Sequence, residues 1–519
     1  MAETIVIDPL TRVEGHLKIE IKVENGKVVE AFSSGEMFRG IEIILRDRSP
    51  EDAPMIVQRI CGVCPQVHGT ASVYALDDAF GVVPPKNARL IRNLMLGANF
   101  LQSHILHFYL LSALDFVDIT AILKYNGTDS KLIKIKEWVK ADIDANKKDA
   151  GSPFLPRYEG DYYIKDTDLN LHGISSYLKA IEIRRKCHEM LAIFGGKMPH
   201  CQTLVGGGVA STPTLDKIVA FKSRLAEIKN FIEKTYIPDV IAVAKLYPDY
   251  FTIGKGVGNF MSYGGFPEND NHSDWLLPQG LLINGKNEQF DSEKIAEFVK
   301  YSKYSSGSGL NPFKGETIPD YNKDGAYSWL KSPRYDKNVI EVGPLARILI
   351  AYMNKSNNDI NSLVDGALNA LGASPDALIS TLGRHAARAL EAKILADRME
   401  IWLDELDPSG PVHTKYKIPK KSKGKGLTEG PRGSLGHWIT IDNYNISNYQ
   451  AVVPTTWNGS PRDDNGKPGP FEQALIGTPV ADVKNPIEPA RVIRSFDPCL
   501  ACAVHVLDVK ENKLYEFKL

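Results

Sequence analysis

The sequence is poor in cysteine, has almost no net charge and lacks any long apolar run. Only six cysteines occur in 519 residues, at positions 61, 64, 187, 201, 499 and 502. That is too sparse for a disulfide scaffold. A formal net charge of -1 gives no bulk attraction to nucleic acid or to an anionic membrane. No uninterrupted apolar stretch of about 18 residues is present, so no membrane span is expected. The opening MAETIVIDPLTRVEGH lacks a basic stretch followed by an apolar core, and no signal peptide is expected. The one strongly basic stretch, KIPKKSKGKG (417–426), contains Gly and Ser and reads as a solvated loop rather than a nucleic-acid site.

What is present is globular in kind: 43% hydrophobic and 24% charged residues. LKIEIKVENGKVVEAFSS (17–34) alternates apolar and polar residues around Asn25-Gly26 and predicts a tight β-hairpin. EMFRGIEIILRDR has helical spacing, which Ser49-Pro50 should end. The stretch after Cys64 predicts a helix with Pro65 in its first turn, and His68 one turn beyond Cys64. Lys86 to about Phe116 is apolar enough to be a central helix of a bundle. Further helices are expected over 169–194, 214–244 and 374–406, with strands and loops over 245–340 and short extended segments after 410. No repeat and no clean linker appears. The expectation is a mostly α, α+β fold: a long-helix bundle with β-rich flanks, interwoven over 1–505.

Four of the six cysteines form two Cys-x-x-Cys pairs, Cys61/Cys64 and Cys499/Cys502. One pair cannot complete a four-coordinate site, but two can. Thiolates select soft or borderline ions such as zinc, iron, nickel or copper. Spacing alone leaves structural zinc, redox dithiols and a catalytic metal open. Against structural zinc stand the long gap from Cys64 to Cys499 and a histidine three or four residues after each pair, His68 and His505. Cys187 and Cys201 read as ordinary semi-buried thiols.

The surrounding motifs are more specific. RICGVCPQVH and DPCLACAVH resemble the two signature motifs of nickel–iron hydrogenase large subunits. DPLTRVEGH, FRGIE, GPRGSLGHW and NYQAVVPTTWN resemble that family too, so the likeness runs from residue 8 to residue 505. It implies that Cys61, Cys64, Cys499 and Cys502 bind nickel, with Cys64 and Cys502 bridging to an iron that carries CO and CN. It implies heterolytic cleavage of dihydrogen, the proton passing to Cys499 and then Glu14. A carboxylate suits that relay because burial can raise its pKa. Arg432 would sit over the open face of the metals, held by Asp497. Backbone near Pro454 and the Thr455 hydroxyl would present hydrogen-bond donors to the cyanides, His68 would support the Cys64 thiolate, and Val63 and Leu111 would line an apolar gas route. Glu42, the Ala451 carbonyl and His505 would hold a second ion, Mg2+ or Fe2+. Ser103 is a departure: relatives often carry an aspartate there, which helps to hold the arginine.

The resemblance also implies partners. Electrons would pass to an iron–sulfur small subunit and on to a membrane electron acceptor. Nickel-insertion proteins and an endopeptidase would mature the chain, removing 506–519. The pair would work on the periplasmic side of the cytoplasmic membrane, exported together; a cytoplasmic location is the alternative. Two rivals are a zinc-stapled structural or interaction protein and the quinone-pocket relative in respiratory complex I, which generally lacks the four cysteines.

Overall fold

A computed structural model describes residues 3–145, 160–355 and 357–503. The expected hairpin is present. Strand Leu17–Glu24 pairs antiparallel with Lys27–Gly35, and Glu3–Ile7 adds a third strand. Asn25 and Gly26 turn the chain with φ of 51° and 70°, the left-handed pair that a two-residue hairpin needs.

Helix Lys86–Leu106 lies at the centre. Every residue after Lys86 is buried, so it is covered on all sides, as its composition predicted. It packs against helices Thr167–Gly195 and Thr381–Asp404. Gly97 permits the second crossing: a Cβ there would lie 2.7 Å from the Met399 sulfur. The helix continues as a π-turn, His107–Ser112, and a 3₁₀ turn to Asp115. The 214–244 segment likewise contains a π-turn, Ile232–Tyr236, between helices Leu215–Phe231 and Ile237–Leu246.

Several expectations need correction. Only Ile41–Ile44 of the FRGIE region is helical, and Pro50 opens a 3₁₀ turn instead of ending a helix. The 374–406 helix begins at Thr381, where the Ser380 hydroxyl caps the Gly383 N–H at 3.0 Å. Residues after 410 include four short helices besides strands: Pro454–Asn458, Pro470–Leu475, Ile487–Ser495 and Leu500–Ala503. The basic stretch is not a loop from Lys421 onward. It is strand Lys421–Gly430, laid across helix Pro65–Phe80. Gly424 and Gly426 explain this: a Cβ at either would strike the Ala75 or Ala71 carbonyl at 2.2 or 1.9 Å. Cys187 and Cys201 are fully buried rather than semi-buried, and burial pushes the Cys201 thiol up to about 12.

Buried charge ties these layers together. Arg347 grips Glu391 through two bonds of 2.8 Å and Glu429 at 2.7 Å. Glu472, also fully buried, has its pKa pushed up from 4.5 to about 7 by desolvation. Its folded-state pKa is raised, so its ionisation opposes folding as pH climbs from 4.5 to about 7. At about 1.4 kcal/mol per pH unit that gap is worth up to about 3 kcal/mol. Glu472→Gln should therefore raise the unfolding midpoint at pH 8 and lose the advantage near pH 4.5. Thermal melts at the two pH values check this.

Candidate metal centre

Two chain ends meet at the four cysteines. The first pair sits on the knuckle before helix Pro65–Phe80. There the Val63 and Cys64 N–H groups point at Cys61 Sγ, at 3.3 and 3.5 Å. The central helix holds this knuckle: Gln102 Nε2 and Asn99 Nδ2 donate to the Val63 carbonyl at 2.8 and 3.2 Å. The second pair follows helix Ile487–Ser495, after a turn in which Asp497 adopts a left-handed φ of 60°. Aspartate tolerates that conformation better than most residues.

The N-terminal segment fastens the second pair. Glu14 N–H donates to the Pro498 carbonyl at 3.2 Å, and Leu500 N–H donates to the Glu14 carbonyl at 2.7 Å. The Glu14 carboxylate Oε2 accepts the Ala501 N–H at 2.8 Å and lies 3.2 Å from Cys499 Sγ. Gly15 makes the approach possible, since a Cβ would come within 2.8 Å of Leu500 Cβ. Arg39 clasps both pairs at once. It donates to the Arg59 carbonyl at 3.1 Å, to the Ile60 carbonyl, and to the Ala501 carbonyl at 2.5 Å. Thr455 Oγ1 accepts the Cys499 N–H at 3.0 Å.

The four sulfurs lie within 4.8 Å of one another and are the one cluster of three or more metal-ligating side chains among the described residues. All four side chains are buried. Cys61–Cys499, Cys64–Cys502 and Cys499–Cys502 separations are 3.4, 3.0 and 2.9 Å. A small cavity of about 10 Å³ adjoins Cys64, Cys499 and Cys502, walled by Val67, His68, Arg432, Pro454 and Thr455.

Arg432 reaches this cavity from a hairpin tip. Gly430 pairs with Gly433, leaving Pro431 and Arg432 as the two-residue turn. Glu429 beside it is pinned by Arg347 and by the Ser434 hydroxyl at 2.6 Å. Arg432 Nε donates to the Asp497 carbonyl at 3.0 Å, and Nη2 to its carboxylate at 3.1 Å. Nη1 has no hydrogen-bond partner among the described residues, a buried donor left for something electron-rich in the cavity. Burial opposes the guanidinium charge, but Asp497 and the thiolates outweigh it and hold the pKa well above its usual value. Burial raises the Glu14 carboxyl, with the Cys61 charge adding to it, against the hydrogen bonds from Ala501 and Cys499. Hydrogen bonds from the other three sulfurs lower Cys61, while burial raises Cys499 and Cys502.

Other expected residues fall as follows. Ser103 is buried on the central helix, its Oγ without a partner among the described residues. His68 Nδ1 bonds to His437 Nε2 at 3.2 Å. Val63 and Leu111 are only half-buried, and neither lines the cavity. Glu42 is buried and its Oε1 accepts the Ala451 N–H at 2.8 Å, so the two expected second-ion residues are neighbours. His505 lies outside the described residues. Sequence reasoning missed Arg39, Gln102, Asn99, His437 and Tyr449. Arg39, His437 and Tyr449 lay in the quoted FRGIE, GPRGSLGHW and NYQAVVPTTWN without being singled out; Gln102 and Asn99 carry no local signal.

Comparison with known proteins agrees with this geometry. The profile described as nickel-dependent hydrogenase matches residues 39–505, and one described as HoxL-like matches 4–34. The periplasmic [NiFeSe] hydrogenase large subunit of Desulfomicrobium baculatum is 45% identical over 98% of this chain and 96% of its own. The Hydrogenase-2 large chain of Escherichia coli K12 is 38% identical over 100% of both chains. A solved structure of the Dm. baculatum [NiFeSe]-hydrogenase matches with a TM-score of 0.85, covering 97% of this chain and 100% of that one, at 45% identity. That enzyme is named for selenium; here all four cage residues are cysteine, so the donor atoms are sulfur. The chain belongs to the nickel-dependent hydrogenase family as a large, catalytic subunit whose four-cysteine cage is the site of a nickel–iron centre.

Proposed function

We propose that this subunit oxidises dihydrogen, with Cys61 and Cys499 as terminal nickel ligands and Cys64 and Cys502 shared with iron. The observation that carries the reading is the joint one: four buried thiols beside a cavity into which an unpaired Arg432 donor faces. When bound, the nickel–iron pair supplies the electron-accepting centre at which dihydrogen is cleaved heterolytically. The chain's residues do the rest. Cys499 Sγ takes the proton and Glu14 Oε2, 3.2 Å away, receives it. A raised Glu14 pKa suits it to hold a proton briefly and pass it outward. Arg432 supplies fixed positive charge over the cavity, and Asp497 keeps it aimed. CO and CN on the iron would occupy the cavity. The Thr455 hydroxyl accepts from Cys499, so its own proton is available to a cyanide nitrogen, and Pro454 lines the same wall.

The large-subunit family implies a small-subunit partner. We read that partner as the iron–sulfur subunit that takes the electrons and passes them to a membrane acceptor. The described residues contain no helix long and apolar enough to cross a membrane. A relative named periplasmic supports a periplasmic location. Glu42, Ala451 and His505 are proposed to hold Mg2+ or Fe2+. We read 1–505 as one interwoven unit, and 506–519 as an extension cut off by a maturation endopeptidase after nickel insertion. The test is the infrared spectrum of the purified pair with metal analysis. One CO and two CN bands with stoichiometric nickel are expected. Zinc with no bands in processed protein would overturn the reading.

A further inference from the structure

Two arms of the chain bring the proton route to the cage, and one buried carboxylate holds both. The N-terminal arm carries Glu14 and the C-terminal arm carries Cys499, and the two meet side by side in a parallel bridge. Just before Glu14, Arg12 donates through Nη2 to Asp115 Oδ1 and through Nη1 to the Leu111 carbonyl at 3.3 Å. On the other arm, Arg494 Nη1 donates to both Asp115 oxygens, at 2.8 and 3.0 Å. Arg494 also ties the arms together: Nε donates to the Thr11 carbonyl at 3.0 Å and Nη2 to the Thr11 hydroxyl at 3.3 Å. Arg491, a turn earlier, donates to the Asp115 carbonyl at 2.6 Å.

Asp115 itself belongs to the central element. The π-turn His107–Ser112 and the 3₁₀ turn Ala113–Asp115 carry it off the end of helix Lys86–Leu106. The same helix grips the Cys61/Cys64 knuckle through Asn99 and Gln102. One helix is thus the frame for both halves of the cage. Asp115 is 1% exposed, Arg494 2% and Arg491 4%. Burial opposes the Asp115 charge, but Arg12, Arg494 and Arg491 outweigh it and hold its carboxyl below the usual value. The bonds to it are charge-assisted, the stronger kind. The walls of the cavity include none of Asp115, Arg12 and Arg494, so the group acts from a distance.

The backbone shows what the anchor holds. Arg12 adopts a left-handed φ of 55° and Gly15 one of 80°, so the arm kinks on both sides of Glu14. Glycine takes that conformation freely; arginine takes it at a cost. The guanidinium bonds to Leu111 and Asp115 keep Arg12 in it. Between the kinks, Glu14 aims one oxygen at the Ala501 N–H and at Cys499 Sγ together. Relaxing Arg12 toward ordinary backbone swings that carboxylate away, and proton transfer needs hydrogen-bond reach.

We propose that Asp115 is a positioning residue for the proton relay: through Arg12 and Arg494 it holds Glu14 against Cys499. It rests on the proton route proposed above, and Asp115 itself neither gains nor loses a proton.

The experiment is a double-mutant cycle on the mature pair, with Asp115→Asn made alone and together with Glu14→Gln. Asp115→Asn alone should lower turnover by about 10–100-fold, up to the cost of a misplacement of about 1 Å. Nickel content should stay native. The solvent deuterium isotope effect should grow, because proton transfer becomes the slow step. A crystal structure of the variant should show Glu14 Oε2 and Cys499 Sγ farther apart than in the native pair. In the Glu14→Gln background the same change should cost nothing further. A merely structural role lowers turnover by the same factor in both backgrounds and leaves the isotope effect unchanged; that result overturns the proposal, as does a native Glu14–Cys499 separation. Native turnover in Glu14→Gln alone is a different failure: the proton route falls, and the proposal with it. If Asp115→Asn loads no nickel, Arg12→Lys takes its place in the cycle. Lysine keeps the charge but lacks the planar fork that reaches Leu111 and Asp115 together, and the same outcomes decide.

Discussion

Glu14→Gln should leave the metal centre assembled and lower hydrogen turnover by about 10²–10⁴-fold, the usual weight of a positioned acid–base group. The structure gives Glu14 two tasks on one oxygen: Oε2 holds the Ala501 N–H at 2.8 Å and faces Cys499 Sγ at 3.2 Å. Glutamine keeps an acceptor oxygen for Ala501 but cannot take a proton from the thiol. The substitution therefore separates the tasks. Nickel content should match the native enzyme while turnover falls. Glu14→Ala should lose both, because the Ala501 N–H is left without its partner and the second cysteine pair loses an anchor. Native turnover in Glu14→Gln would move the proton route elsewhere.

Arg432→Lys should cost about 10²–10³ in turnover, the loss typical of one preorganised donor. Lysine keeps the charge but not the planar fork that spans the Asp497 carbonyl and carboxylate at 3.0 and 3.1 Å. Asp497 is the one carboxylate that Arg432 pairs with among the described residues, since position 103 holds a serine. Asp497→Asn should therefore be nearly as damaging as Arg432→Lys. It leaves the guanidinium buried without its counter-charge, which typically costs about 3–5 kcal/mol. Turnover and the unfolding midpoint, measured together on both variants, check the pairing. A mild Asp497→Asn phenotype would mean that another group holds the arginine.

The site was more legible in the sequence than the framework around it. Cys61 and Cys64, or Cys499 and Cys502, are close because a knuckle brings neighbours together, so their spacing announces metal or redox chemistry. The 17–34 hairpin was legible for the same reason: alternation and Asn25-Gly26 are local. The fold around them turns on contacts between distant segments. Nothing near Lys421 tells that Gly424 and Gly426 will let a lysine-rich strand lie on a helix backbone. The helices after Val453 are short and stabilised by packing rather than by propensity or length, so no periodicity marks them. The segment expected as a helix from 374 opens with a 3₁₀ turn, Pro375–Leu378, and the α-helix starts only after Ser380, whose hydroxyl accepts the capping bond. His437 and Tyr449 lie in the GPRGSLGHW and NYQAVVPTTWN motifs, but neither motif tells that the two side chains meet. They become part of the site only when their strands cross helix Pro65–Phe80.

The seam between the segment at Glu14 and the stretch 498–501 sets an order of events during synthesis. Cys61 and Cys499 are 438 residues apart. At about 5–20 residues per second on a ribosome, the first pair emerges about 20–90 s before the second. For that interval Cys61 and Cys64 form a two-thiol half-site with no lid. Glu14 and Arg39 are meanwhile without the segment they will later clasp. A half-site binds whichever thiophilic ion arrives first, and copper and zinc compete for such ligands at least as well as nickel. The cage can select its metal only once the last residues arrive, so the closing of Glu14 and Arg39 on 498–501 is the step at which identity of the ion is sealed.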